Sequence, residues 1–222
     1  ASDVYKRQVL AEWQDEKLIR RGLAQIRNSD LILIVLGRNQ LHDLERLDNM
    51  LFDHGRVYMA NNLKIEIEKL PPGSGLKLIV DQEELKASTN EIINELRKNG
   101  LRDLSIHISG KVPVHDIPAI VKHRPMIKPA VALLPEGDIE RQYLDRIHIV
   151  RRPNSVREVG EAIIESMGLI RVYTKRVGEK NPSEKPLLLK KGSTVLEAAR
   201  VVHKRFAEKF SYAKIWSKHL KH

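Results

Sequence analysis

Fourteen of the chain's 39 Lys and Arg residues lie between Gly168 and His222, against four of its 29 Asp and Glu residues. They fall in clusters: Arg171, Lys175 and Arg176; Lys190 and Lys191; Lys204, Arg205 and Lys209; and Lys214 and Lys218 on either side of Trp216. Residues 1–167 hold 25 basic and 25 acidic side chains, so the whole formal net charge of +10 belongs to the last quarter of the chain. Phosphate contact needs only exposed cations gathered on a face, so a basic module on a neutral body points to an anionic partner, with RNA expected. Base stacking is open to Tyr173, Tyr212 or Trp216. Large aromatics are mostly buried, however, and Tyr212 and Trp216 are expected to be core cover.

Other chemistries find no support in residue type and spacing. A triphosphate needs a backbone cradle of the form G-x-x-x-x-G-K-[ST] opening a helix. PPGSGLK has glycines and a lysine at the wrong spacing, between two strand-like runs. The nine histidines show no i, i+4 pair with a supporting carboxylate, and no metal is expected. There is no nucleophile elbow. Glu66/Glu68 and Glu83/Glu84 read as solvated faces, and no catalytic residue is assigned. With no cysteine, disulfides and thiolate metal sites are excluded. No apolar run approaches a membrane span and no signal-peptide pattern opens the chain, so a cytoplasmic protein without membrane contact is expected.

The basic clusters must be positioned by the elements that carry them. Leu169–Lys175 alternates as a strand, Pro186–Leu189 is a short buried-strand run, and Gly192 breaks the chain before a helix. Thr194 and Glu197 have capping-box spacing. Val195, Ala199, Val202 and Phe206 then give that helix one apolar face. Tyr212–Trp216 alternates again, with Ala213 and Ile215 opposed to Tyr212, Lys214 and Trp216. A β-β-α-β order on a half-covered sheet is a ubiquitin-like β-grasp.

Upstream, ASDVYKRQ has no apolar periodicity and reads as a foreign junction, with natural sequence expected from about Val9. Glu12–Gln25 favours a helix. Leu31–Leu36 is short, apolar and rich in β-branched residues, as in a parallel strand covered on both faces. His42–Phe52 predicts a helix. Leu63–Leu70 and Leu76–Val80, joined by PPGSG, predict a hairpin. Ser88 and Glu91 open a helix closed by Gly100. Leu104–Ile108 predicts a strand, and Asp116 is expected to cap a short helix over Ile117–Lys122. Lys128–Leu134 and Ile147–Val150 predict two more strands. Ser155 and Glu158 open a helix to Met167, with Val156, Val159, Ile163 and Met167 inward. Strands alternating with helices imply a doubly wound α/β domain.

LIRVYTKRVGEK, PLLLKKGSTV and HKRFAEKFSYAKIW resemble the TGS domain that closes the developmentally regulated GTP-binding proteins, a branch of the Obg-type GTPases. RRGLAQIRNSDLILIVL is similar to the stretch after the second phosphate-sensing motif of those GTPases, with Gly37 where the family has Asp. The order of elements between about 57 and 124 resembles the insertion this branch carries. The expected organisation is therefore a foreign junction at 1–8, a partial GTPase-like domain with a parallel sheet and an inserted α+β segment at 9–167, and a TGS domain at 168–222. The TGS pattern continues beyond His222, so an incomplete sheet with an uncovered edge is expected.

The resemblance implies a parent that hydrolyses GTP with Mg²⁺ and acts on ribosomes or in translation. The family's Asn-Lys-x-Asp falls on Pro135, Glu136, Gly137 and Asp138, which leaves Asp138 as its remnant for nucleotide binding. The later Ser-Ala loop falls on Val150, Arg151 and Arg152 and is unmatched. Without a phosphate loop this chain is expected to be inactive alone and to hold no cofactor. RNA or the ribosome is the expected partner of the basic module, with a regulatory protein as a further candidate. The alternative is a natural nucleotide-free adaptor on RNA, which the altered Asn-Lys-x-Asp position favours.

Overall fold

The computed structural model describes residues 16–37, 41–81, 87–135 and 141–217. The chain divides into two compact units, residues 1–167 and 168–222. The first unit begins with α1 (Glu16–Asn28), β1 (Ile32–Val35), α2 (Leu41–Asp53) and β2 (Val57–Met59). It continues with β3 (Lys64–Lys69), β4 (Leu76–Val80), α3 (Thr89–Lys98), β5 (Leu104–Ser109), α4 (Ile117–His123) and β6 (Met126–Lys128). It closes with β7 (Ala130–Leu134), α5 (Arg141–Arg146), β8 (His148–Arg151) and α6 (Val156–Ser166). The second contains β9 (Leu169–Val172), β10 (Leu187–Lys190), α7 (Val195–Val202) and α8 (Lys204–Glu208).

The main sheet is parallel, in the order β1-β7-β8. Successive residues of β7 belong to different clusters, as a strand buried on both faces requires. Ala130, Ala132 and Leu134 pack with Leu44 and Leu51 of α2 and Leu23 of α1. Val131 and Leu133 pack with Ala162 and Ile163 of α6. The layers are those of a doubly wound α/β sheet. β1 departs from the expectation of burial on both faces. Ile32 and Ile34 are buried, but Leu33 is 45% and Val35 69% exposed. Among the described residues β1 pairs only with β7, so the helix that covers β7 and β8 does not reach it. Val156, expected inward, is also exposed, because it is the first residue of α6 and lies beyond the sheet contact made by Ala162.

The segment from Met59 to Met126 is an excursion with its own sheet and core. β2 and β6 bracket it as a parallel pair, Val57 opposite Met126 and Met59 opposite Lys128. The expected 128–134 strand is thereby split at Pro129, with β6 on one side and β7 on the other. Inside the excursion β3 and β4 do not form a hairpin. Both pair with β5, antiparallel and parallel respectively, in the order β3-β5-β4. β4-α3-β5 is a crossover that makes β4 and β5 parallel neighbours, and β3 takes the other edge. β5 merits the centre because Leu104, Ile106 and Ile108 bury one whole face against Ile92 and Leu96 of α3 and Ile117 and Ile120 of α4. α3 starts with a complete capping box, Ser88 and Glu91 each bonding the other's backbone amide, and Gly100 follows its C-cap at φ 75°.

In the C-terminal unit β9 and β10 pair antiparallel, Leu187 opposite Val172 and Leu189 opposite Ile170. α7 opens with the Thr194–Glu197 capping box and contacts β10. The order of these elements, two strands and then a helix, is that of the start of a ubiquitin-like β-grasp. Two expectations fail here. The helix does not run unbroken through Phe206: His203 is extended (φ −168°, ψ 135°), ends α7, and caps α8 through its ring Nδ1, which accepts from the Arg205 amide at 3.2 Å. Tyr212–Trp216 forms no strand, since β9 and β10 pair with each other and the described residues offer it no ladder partner.

Candidate nucleic-acid interface

The absence of a strand at 212–216 decides where the aromatics go. Tyr212 is 80% and Trp216 67% exposed, against the expectation of core cover, because no sheet face exists there to receive them. Tyr173, just past β9, is half exposed. The Lys175 ammonium lies 5.8 Å from the centre of the Trp216 ring, which brings the end of β9 and the C-terminal segment onto one patch.

The predicted cations are all exposed where described. Arg176 and Lys204 make exposed ion pairs of 3.9 Å with Glu179 and Glu208. Such pairs hold little energy and open readily to a stronger anion. Lys190, Lys191, Arg205, Lys209 and Lys214 form no ion pair among the described residues. On the sheet, Arg171 stands opposite Leu188 and Lys190 opposite Leu169. Direct partners share a face, so both cations lie on the side away from Leu189, the one buried hydrophobic residue of the described part of this unit. Lys218 lies outside the described residues.

The nucleotide remnant also falls outside them: Asp138 is within 136–140. The described chain before it ends just past the C-terminal end of β7, the central strand, where the Arg152 amide donates to the Leu134 carbonyl at 2.7 Å. In open α/β sheets ligands bind at this edge. The glycine run among the described residues does not fit a triphosphate, however. PPGSG joins β3 to β4 instead of opening a helix, and the Gly75 amide is taken by Asp103 Oδ1 at 2.8 Å. Among the described residues no group of His, Asp and Glu could hold a metal ion, and no helix is long and apolar enough to cross a membrane.

One polar constellation escaped sequence reasoning. Arg146, at the end of α5, is 3% exposed. Its guanidinium forks onto Asp48 of α2 with two bonds of 2.9 Å, and its Nε donates to the Met59 carbonyl at 3.2 Å. It sits 4.0 Å from the Tyr58 ring centre and 3.7 Å from Asp116. The Tyr58 hydroxyl donates to Asp116 Oδ2 at 2.5 Å, and Asp116 makes no side-chain cap on α4, contrary to expectation, because its carboxylate is engaged by Tyr58. Burial pushes the Tyr58 hydroxyl above its ordinary range. Burial likewise raises the Asp48 carboxyl, which Arg146 pulls part of the way back. Asn61 adds a second tie: its side-chain amide pairs with both backbone groups of Ala130, at 2.8 and 3.1 Å, and donates to Ser166 Oγ at 3.1 Å. Together these contacts fasten the excursion to the main sheet.

The chain is 24% identical to an uncharacterized GTP-binding protein of Methanocaldococcus jannaschii, over 90% of this chain and 54% of that protein. It is 25% identical to GTP-binding protein 1 of Schizosaccharomyces pombe, over 91% of this chain and 58% of that protein. These matches, with the TGS domain at 170–221, define the class: a homologue of GTP-binding proteins that carries a TGS domain. More particularly, a developmentally regulated GTP-binding protein 2 homolog of Dictyostelium discoideum is among the homologues, 25% identical over 91% of this chain and 58% of that protein. That is the kind of relative the TGS motifs imply. The chain spans between 54% and 58% of these relatives' lengths.

Proposed function

We propose that this chain is the distal part of a GTP-binding protein of the developmentally regulated, Obg-like kind, working in the cytoplasm on ribosomes or in translation, and that its TGS domain contacts RNA. The observation that carries the RNA contact is the segregation of charge: the entire net +10 lies in residues 168–222, where Lys190, Lys191, Arg205, Lys209 and Lys214 have no ion-pair partner among the described residues. A small unit with that excess attracts polyanions by counterion release. GTP and Mg²⁺ belong to the chemistry of the longer protein; no G-x-x-x-x-G-K-[ST] run occurs in this sequence. A regulatory protein is a further partner of the same unit.

A second reading, a nucleotide-free RNA adaptor, is favoured by one observation: Pro135, Glu136 and Gly137 stand where guanine recognition in the family uses Asn-Lys-x, ahead of Asp138. Binding of a fluorescent RNA across a salt titration tests the common claim. Lys190→Glu with Lys191→Glu is expected to weaken binding at low salt and to flatten the dependence of log K on log salt by about 0.7 for each phosphate that is no longer neutralised. Identical titrations for wild type and the double variant overturn the assignment of this face.

A further inference from the structure

We infer that the RNA taken by the C-terminal unit is single-stranded, with Trp216 and Tyr212 stacking on its bases while Lys175, Lys190, Lys191 and Lys214 meet its phosphates. The inference rests on the RNA reading above and narrows it. An unpaired strand offers two things a duplex does not: exposed base faces and a backbone free to follow a short groove. The protein offers rings for the bases and spaced cations for the backbone. Tyr212 and Trp216 are two of the largest exposed side chains of the unit, and Lys214 alternates between them in a segment of non-regular backbone. The Lys175 ammonium near the Trp216 ring joins a cation from another element to the same patch. A base sliding over the indole displaces that ammonium toward the neighbouring phosphate, so the cation–π contact marks a site where ring and charge are already side by side.

The competing occupants fit less well. A-form duplex is read by its shape and its 2′-hydroxyls and leaves flat aromatic rings without a role. An apolar protein surface would be poorly matched by fourteen cations against four acids. A single strand uses the rings and the charge together.

The test is fluorescence anisotropy with a labelled oligouridylate and, separately, a labelled RNA duplex of equal length, on the whole chain. The single strand is expected to bind tighter than the duplex. Trp216→Ala and Tyr212→Ala are each expected to weaken the single-strand affinity about fivefold or more, leaving duplex binding unchanged. Trp216→Phe, which keeps a stacking ring, is expected to recover most of the loss; both side chains are exposed, and far-UV circular dichroism confirms that the variants fold. In a Trp13→Phe background, oligouridylate is expected to quench Trp216 fluorescence. Equal affinity for duplex and single strand, or alanine variants that bind like wild type while Lys190→Glu/Lys191→Glu does not, overturns stacking and leaves RNA contact standing. Failure of the wild-type chain to bind either RNA overturns the RNA reading itself, and this inference with it.

Discussion

Replacing Arg146 by Met removes the cation that fastens the excursion to the α/β sheet. The variant loses two 2.9 Å bonds to Asp48 and the bond to the Met59 carbonyl, and leaves Asp48 and Asp116 facing each other across the space vacated by a side chain only 3% exposed. Breaking a buried pair by removing one member costs about 3–5 kcal/mol, chiefly because the other charge stays buried. Two effects reduce this. Methionine refills part of the volume, and Asp48, whose carboxyl burial already raises, can take up a proton. The expected loss at neutral pH is therefore near the lower bound, about 3 kcal/mol, or roughly 6–12 °C in Tm for a unit of this size. Since protonating Asp48 relieves the stranded charge, the loss should shrink as pH falls. Urea denaturation followed by far-UV circular dichroism measures it, and hydrogen exchange at the Ile106 and Ile108 amides reports whether the excursion loosens first. Asp48→Asn combined with Arg146→Met should recover a substantial part of the loss, as expected of coupled neighbours. A neutral-pH loss below about 1 kcal/mol would refute the buried-pair reasoning.

Other expectations follow from single features. Gly110 has φ 102°, and an added Cβ would come within 2.2 Å of the Asn62 carbonyl oxygen, so Gly110→Ala is expected to destabilise the first unit by about 2 kcal/mol or more, measured by the same denaturation. The Glu197 carboxyl is held below its ordinary value of 4.5, first by the Thr194 backbone amide and then by the Thr194 hydroxyl. A depressed folded value means its stabilisation is complete above the ordinary value and disappears as pH falls through the depressed one, so helicity lost on acidification should be smaller in Glu197→Gln. GTP titrated calorimetrically into this chain should produce no binding heat, since no G-x-x-x-x-G-K-[ST] run occurs in its sequence; micromolar affinity would contradict that.

What the sequence disclosed was local. Ser88 with Glu91 and Thr194 with Glu197 announce helix starts because the bonds they make span three residues, and both boxes form. The apolar runs of β1, β7 and β8 announce strands because the pattern lies within each run, whatever it pairs with. What stayed hidden was long-range. Arg146 meets a partner 98 residues away and Tyr58 one 58 residues away, and neither has a neighbouring residue that marks it as buried. The β3–β4 hairpin failed because adjacency in sequence says nothing about which strand buries a full face. β5 does, and it separates them. Tyr212–Trp216 alternates as a strand should, but alternation fixes only which side a residue would face once a ladder exists. The clustering of cations needed no fold to be read; the exposure of the rings beside them did.

The parallel pairing of β2 with β6 limits how this protein can be re-engineered. Were the two strands antiparallel, a two-residue turn could replace everything between them. Because Val57 faces Met126 and Met59 faces Lys128, the chain leaves one end of the pair and must re-enter at the other. The excursion is thus the return path itself, and any deletion variant needs a bridging segment of about a dozen residues to keep β2 and β6 in register.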